Sequence, residues 1–220
     1  MSNNISAPRR LLQQWQRRWQ LRQLTDPQYR FLWEPPPADE WVSLDCETTG
    51  LNVRSDEIIS IGAVRIAGQR ILTSQRLELL VRPDKGVSAE SVCIHRLREQ
   101  DVAQGLPLAQ AMHELLHFIG SRPLVGYFLE FDVAMLNRAM RPLLGTGLPQ
   151  PQIEVSALYY DYKFQQLPPY QQQENADIDL RFDTLMAELQ LPRRDAHDAL
   201  NDAVMAALAF IKLRQLAATS

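Results

Sequence analysis

The 220 residues are 45% hydrophobic and 22% charged, with a formal net charge of −3, the profile of a folded globular chain rather than a disordered one. No apolar run approaches the roughly 18 residues of a membrane span, and the two cysteines, Cys46 and Cys93, exclude a disulfide scaffold. The opening "MSNNISAPRR" is polar and lacks an apolar signal core, so a cytoplasmic location is expected.

The charge is uneven along the chain. Residues 1–30 hold six arginines (Arg9, Arg10, Arg17, Arg18, Arg22, Arg30) and one acid, Asp26, a net of +5, so the remainder carries −8. An acidic body with a basic arm suggests one working body and one docking device. "RRLLQQWQRRWQLRQL", residues 9–24, reads as a helix with Leu11, Trp15 and Trp19 at a spacing of four. That stripe either packs on the body or meets a protein partner or nucleic acid. "EPPPADE", residues 34–40, is a stiff polar connector, which divides the chain into an arm over 1–36 and a body over 37–220.

In the body, "WVSLDC" reads as a strand, followed by "EIISIGAVRIAGQR" and "ILTSQRLELLVRP" as two more, turning near Gly68 and Gln69. "PLAQAMHELLHFIGSR" has helical periodicity and stops near Gly120. "PLVGYF" is a short strand, and "FDVAMLNRAMRPLLG" a helix ending at Gly145. "QIEVSAL" reads as a last strand and "QQLPPYQQQENAD" as a loop. "LRFDTLMAELQ" and "HDALNDAVMAALAFIKLRQLAA" are helices. Antiparallel strands followed by alternating helices and strands predict a mixed α/β sheet.

The chemistry starts at "WVSLDCETTG", where a strand runs out in two acids. Strand residues two apart share a face, so Asp45 and Glu47 converge while Cys46 points into the core. Neighbouring carboxylates repel unless a proton or cation lies between them, and magnesium and manganese favour such oxygen donors. Asp132 follows an apolar strand and opens a helix, where an acid also suits the helix dipole. His197 and Asp202 lie five apart at the start of the last helix, with Asp195 or Asp198 as its cap.

"DCETTGL" (45–51), "GYFLEFD" (126–132) and "HDALND" (197–202), in this order, resemble the three motifs of the DEDD 3′-to-5′ exonucleases, in the histidine (DnaQ-like) branch. This is the family of the proofreading epsilon subunit of bacterial DNA polymerase III. The sister branch has tyrosine four residues before the last aspartate, where this chain has Asp198. The resemblance covers about residues 41–215. It implies a ribonuclease H-like, mixed five-stranded sheet flanked by helices. It also implies that Asp45, Glu47, Asp132 and Asp202 hold two divalent ions, Mg2+ or Mn2+, and that His197 is the general base. Thr48 and Leu51 would hold the terminal nucleotide and His95 would touch substrate; the alternatives are a core leucine at Leu51 and a loop-stabilising histidine at His95. The expected activity is 3′-to-5′ hydrolysis of DNA or RNA, probing a free, single-stranded 3′ end and releasing nucleoside 5′-monophosphates.

The chain departs from the family at Tyr127 and Phe128, where His-Asn is usual, at Arg96 beside His95, and at "EVSA" (154–157), where Asp-Thr is common. The sequence stops at Ser220, close after its last helix. That favours a stand-alone nuclease, or one docked through its arm, over a core proofreading subunit. The competing readings are a catalytically silent nucleic-acid-binding accessory subunit and an RNase-type exonuclease acting on short RNA.

Overall fold

The computed structural model describes residues 7–85, 99–173, 176–194 and 198–219. Helix α1 (Ala7–Gln23) leads into a 3-10 segment (Pro27–Trp33). Then come β1 (Glu40–Thr48), β2 (Ile58–Ala67) and β3 (Arg70–Leu80), the short α2 (Glu99–Val102), α3 (Leu108–Ile119) and β4 (Leu124–Gly126). The chain continues through α4 (Leu129–Leu144), β5 (Gln152–Glu154), α5 (Val155–Gln166), α6 (Phe182–Glu188) and α7 (Ala199–Thr219). The sheet order is β3-β2-β1-β4-β5. β1, β2 and β3 are antiparallel neighbours, while β4 and β5 run parallel to β1 and to each other.

The expected mixed five-stranded sheet is therefore present, and β2 and β3 turn at Gly68 and Gln69 as read from the sequence. The last strand is shorter than expected. Only Gln152–Glu154 is extended, and Val155 already begins α5, because the Glu154 carboxylate accepts from the Ser156 N–H at 3.0 Å and caps a helix there. Propensity favours extension at Val155, and the cap overrides it.

Each sheet face buries one core. Val42, Leu44, Cys46, Ile61 and Ala63 pack with α3 and α4 on one side. Val64, Ile66 and Val125 pack with α5, α6 and α7 on the other. Alternation along β1 thus buries Cys46 on the α3–α4 side and leaves Ser43, Asp45 and Glu47 to the α7 side. α7 is apolar around most of its circumference, with Ala203, Val204, Ala206, Ala207 and Phe210 buried, because it lies across β1 and β2 and under α5. No helix among the described residues is long and apolar enough to cross a membrane.

Packing does not change at the proline run. Tyr29, Leu32 and Trp33 are buried in the α3–α4 core, so residues 27–33 belong with the body although the sequence boundary at residue 36 placed them in the arm. Tyr29 shares a 3.0 Å hydrogen bond with His113 Nδ1, and the Trp33 indole donates to Gln20 Oε1 at 3.1 Å. The end of α4 also anchors this region. Gly145 has φ +67°, and a Cβ there would lie 2.1 Å from the Gln23 carbonyl oxygen. Only glycine both ends α4 in the left-handed region and lets the chain after α1 pass this close. Leu32→Ala is expected to lower the unfolding free energy by about 2–5 kcal/mol, as for other fully buried leucines. Urea denaturation of the full chain, reading midpoint and slope, checks this.

Candidate active site

Three elements bring four acids together at the carboxyl end of β1. Asp45 and Glu47 come from its last turns of pleat, Asp132 from the first turn of α4, and Asp202 from the first turn of α7. Carboxylate oxygens of Asp45, Glu47 and Asp202 all lie within 4.8 Å of one another. Asp132, 4% exposed, lies beside them, and its charge is the strongest of those acting on Asp45. Asp45 and Asp202 open on a cavity of about 670 Å3, whose wall includes Tyr127, Arg181, Phe182 and Arg193.

Two features bring α7 this close. Asp45 pairs with Gly62 of β2, and a Cβ on Gly62 would lie 2.1 Å from the Leu200 nitrogen and 2.2 Å from the Ala199 carbonyl carbon. The absent side chain is thus the space into which the first turn of α7 fits. Asp198 fixes that turn: its Oδ1 accepts from the Asn201 N–H at 2.8 Å, and its carbonyl from the Asp202 N–H at 2.9 Å. Asp198, one of the two caps expected, is therefore the cap.

The electrostatics are unfavourable without a counter-charge. Burial pushes the Asp45 carboxyl well above the ordinary range, and Asp132, Asp202, Glu47 and Asp198 push it further. Glu47 is raised to about 7, first by burial and then by Asp202 and Asp198. Burial also raises Asp132, against hydrogen bonds from the backbone at Cys46 and at Asp132 itself. A hard divalent cation among these oxygens would reverse each effect, and a donor set made wholly of carboxylates fits Mg2+ or Mn2+. Asp45, Glu47 and Asp202, with Asp132 beside them, are the residues that would hold it.

A family model described as "Exonuclease" (RNase_T) matches residues 42–210. The chain belongs to this exonuclease family. Its DnaQ-like motifs are those read above. Among curated relatives, it is 27% identical to the PolC-type DNA polymerase III of Thermotoga maritima over 80% of this chain and 12% of that protein. It is 29% identical to a DNA polymerase III epsilon-like protein of Rhodobacter capsulatus, over 80% and 24% of the respective lengths. Against the epsilon subunit of Aquifex aeolicus the figures are 26% identity over 79% of each. The chain thus spans under a quarter of the length of the first two relatives. Among solved structures, E. coli exonuclease I in complex with a dA16 oligonucleotide superposes with TM-score 0.68 at 14% identity, covering 82% of this chain and 42% of that one. Exonuclease X in complex with a 5′-overhanging duplex DNA gives TM-score 0.59 at 23% identity, covering 81% and 93%. These superpositions establish the shared fold.

Of the residues that the exonuclease motifs single out, the structure gathers Asp45, Glu47, Asp132 and Asp202. Thr48 lies at a bulge in β1 and its hydroxyl donates to the Gly50 carbonyl at 2.7 Å. Leu51 is 85% exposed at the rim, far from the core position that was the alternative for it. His95 and His197 lie outside the described residues.

Two of the departures from the family, Tyr127 and Phe128, form an aromatic wall beside the site. Tyr127 stacks on Phe182 at 4.4 Å and donates its hydroxyl to the Leu180 carbonyl at 2.8 Å. Phe128 is 62% exposed and holds φ +53°, an uncommon conformation for an aromatic residue. The Glu154 carboxylate stabilises that turn by accepting from the N–H groups of Phe128 and Leu129 at 3.0 and 2.8 Å. Leu51, Val53, Phe128 and Phe131 line an apolar groove of about 990 Å3 on this side. Sequence reasoning missed Gly62 and Glu154, because each acts on an element distant in the chain. A glycine inside an otherwise apolar strand was the available signal for Gly62.

Gly62→Ala is expected to displace α7 by the order of 1 Å and lower kcat about 100-fold, since misplacement on that scale disrupts reacting geometry. Turnover measured well below the variant's melting temperature checks this. Glu47 also sets a pH dependence. Its folded pKa is raised, so the folded state holds more protons than the unfolded chain up to about pH 7. Stability in chelator therefore falls as pH rises from the ordinary carboxylate range through 7, and the penalty is complete above it. Urea midpoints at about pH 5 and about pH 8 should differ less in Glu47→Gln than in the wild type.

Proposed function

We propose that this chain is a metal-dependent 3′-to-5′ exonuclease that hydrolyses terminal phosphodiester bonds of single-stranded DNA or RNA and releases nucleoside 5′-monophosphates. The observation that carries this reading is the convergence of Asp45, Glu47 and Asp202, with Asp132 beside them, where Asp45 and Asp202 line an open cavity. Family membership over residues 42–210 supports it.

Two divalent ions bound there would acidify the attacking water and neutralise charge on the scissile phosphate and leaving oxygen. The chain's own residues do the rest. Asp45, Glu47, Asp132 and Asp202 hold the cations. His197 accepts the water proton at an imidazole nitrogen, a role suited to a group titrating near neutrality. Arg181 and Arg193 on the cavity wall meet phosphate oxygens. Both are now paired with carboxylates, Asp179 and Asp183, which would share them with an incoming strand. Leu51 and Phe128 flank the terminal bases, and Thr48 and His95 contact the last nucleotide.

Asp45→Ala or Asp202→Ala is expected to abolish cleavage while the fold persists, because each removes a shared oxygen donor. Near-normal turnover in either purified variant would overturn the assignment. His197→Ala is expected to lower kcat by about 10²–10⁴-fold, the usual worth of a positioned base, and to remove the rise of rate with pH through the histidine's titration. Chelation should abolish activity, and added Mg2+ or Mn2+ should restore it. Matched linear and circular single strands of DNA and RNA, with products resolved by length, test polarity and substrate. Cleavage of the circle would replace this reading with an endonuclease.

A further inference from the structure

We infer that α1 is a grip for single-stranded nucleic acid, built from a stripe of alternating tryptophan and arginine on the face turned away from the body. The inference rests on the nuclease reading above and adds a second contact to it.

Trp15, Arg18, Trp19 and Arg22 stand at i, i+3, i+4 and i+7 of one helix, so they form one continuous face. All four are exposed, with Trp15 67% and Trp19 50% accessible. The opposite face is the one that touches the body: Gln20 accepts from the Trp33 indole, and Leu21 packs on the α3–α4 core. Among the described side chains of α1, the two tryptophans thus face outward and Leu21 inward, the reverse of a helix that only packs. The five charged residues of α1 are all arginines. Among the described residues, no carboxylate forms an ion pair with Arg17, Arg18 or Arg22.

The chemistry of the stripe selects its occupant. A purely apolar partner would leave the neighbouring cations unused, whereas here Arg18 and Arg22 form a row beside Trp15 and Trp19. Indole faces stack bases of any sequence, and guanidinium groups pair with phosphates and stack as well. The rest of the chain carries −8 and repels a polyanion, so an arm of +5 supplies complementary charge that the body lacks. Position fits too. The end of α1 abuts Gly145 at the far end of α4, while Asp132 lies in its first turn. The 13 residue steps from Asp132 to Gly145 span about 20 Å of helix. The strand reaching both sites must therefore be long, and a very short oligonucleotide reaches only the acids.

The test uses the full chain, with Trp15→Ala/Trp19→Ala and Arg18→Gln/Arg22→Gln as variants and oligodeoxythymidylates of about 4 and about 30 nucleotides as probes. In chelator, where cleavage is off, the wild type should bind the longer probe, and each variant should bind it at least about tenfold more weakly. The arginine variant should flatten the slope of log K against log salt by about 1.4, or about 0.7 for each lost phosphate contact. With Mg2+, kcat/KM on the longer probe should fall in both variants while that on the shorter probe stays unchanged. Turnover of the shorter probe thus reports the nuclease reading separately from the grip. Unchanged affinity and salt slope on the longer probe would overturn the inference. So would equal losses on both probes with a lowered melting temperature, which would make the stripe structural. Wild-type binding to anionic vesicles or self-association, without oligonucleotide binding, would overturn it in favour of that surface.

Discussion

Like charges crowded at the end of one strand set the terms for the rest of this molecule. Asp45, Glu47 and Asp202 bring oxygens within 4.8 Å of each other, with Asp132 buried alongside. Burial and mutual repulsion raise Asp45, Glu47 and Asp132 together. Such an arrangement costs folding free energy and persists because stiff surroundings impose it. Those surroundings are the antiparallel pairing of β1 with β2, the missing side chain at Gly62 and the cap at Asp198. The apolar burial of α7 over two strands offsets the electrostatic cost. The chain accepts an unfavourable corner because a large core on each sheet face holds it closed.

The same crowding explains the charge map. A site that depends on carboxylates makes the body acidic, so a nucleic-acid backbone must be attracted by something else. On the function proposed above, bound cations would supply part of that attraction at the site, and Arg181 and Arg193 stand on the cavity wall. Five arginines stand on α1, which is held at the opposite end of α4 through Gly145, Gln20 and Trp33. Separation of the two regions keeps the basic helix from neutralising the acids while leaving both available to one extended polymer.

The aromatic wall shows how the fold tolerates departures from its family. Tyr127 gains a stacking partner in Phe182 and a hydrogen bond to the Leu180 carbonyl. Phe128 is held at positive φ by the Glu154 carboxylate, which receives the N–H groups that open α4. One acid thus starts two helices, α4 and α5, and aims an exposed ring at the groove beside the site. Changing His-Asn to Tyr-Phe replaces polar reach with apolar surface without disturbing the clustered carboxylates.

The sequence by itself determined the order of elements, the antiparallel opening and the acids that matter. Period-two alternation placed Asp45 and Glu47 on one face and Cys46 on the other, and glycines marked the ends at Gly68, Gly120 and Gly145. These features are local, so composition and spacing carry them. The structure decided what depends on residues meeting from distant parts of the chain. Gly62 reads as a weak point in a strand until Ala199 and Leu200 arrive against it. Val155 reads as extended until Glu154 caps α5. Tyr29, Leu32 and Trp33 read as part of an arm until α3 and α4 bury them. Leu51 and the Trp15–Trp19 stripe each admitted a packed or an exposed reading, and only the position of the body relative to them decided for exposure. Local physics names the side chains, but the space around each one exists only once the sheet and helices have closed.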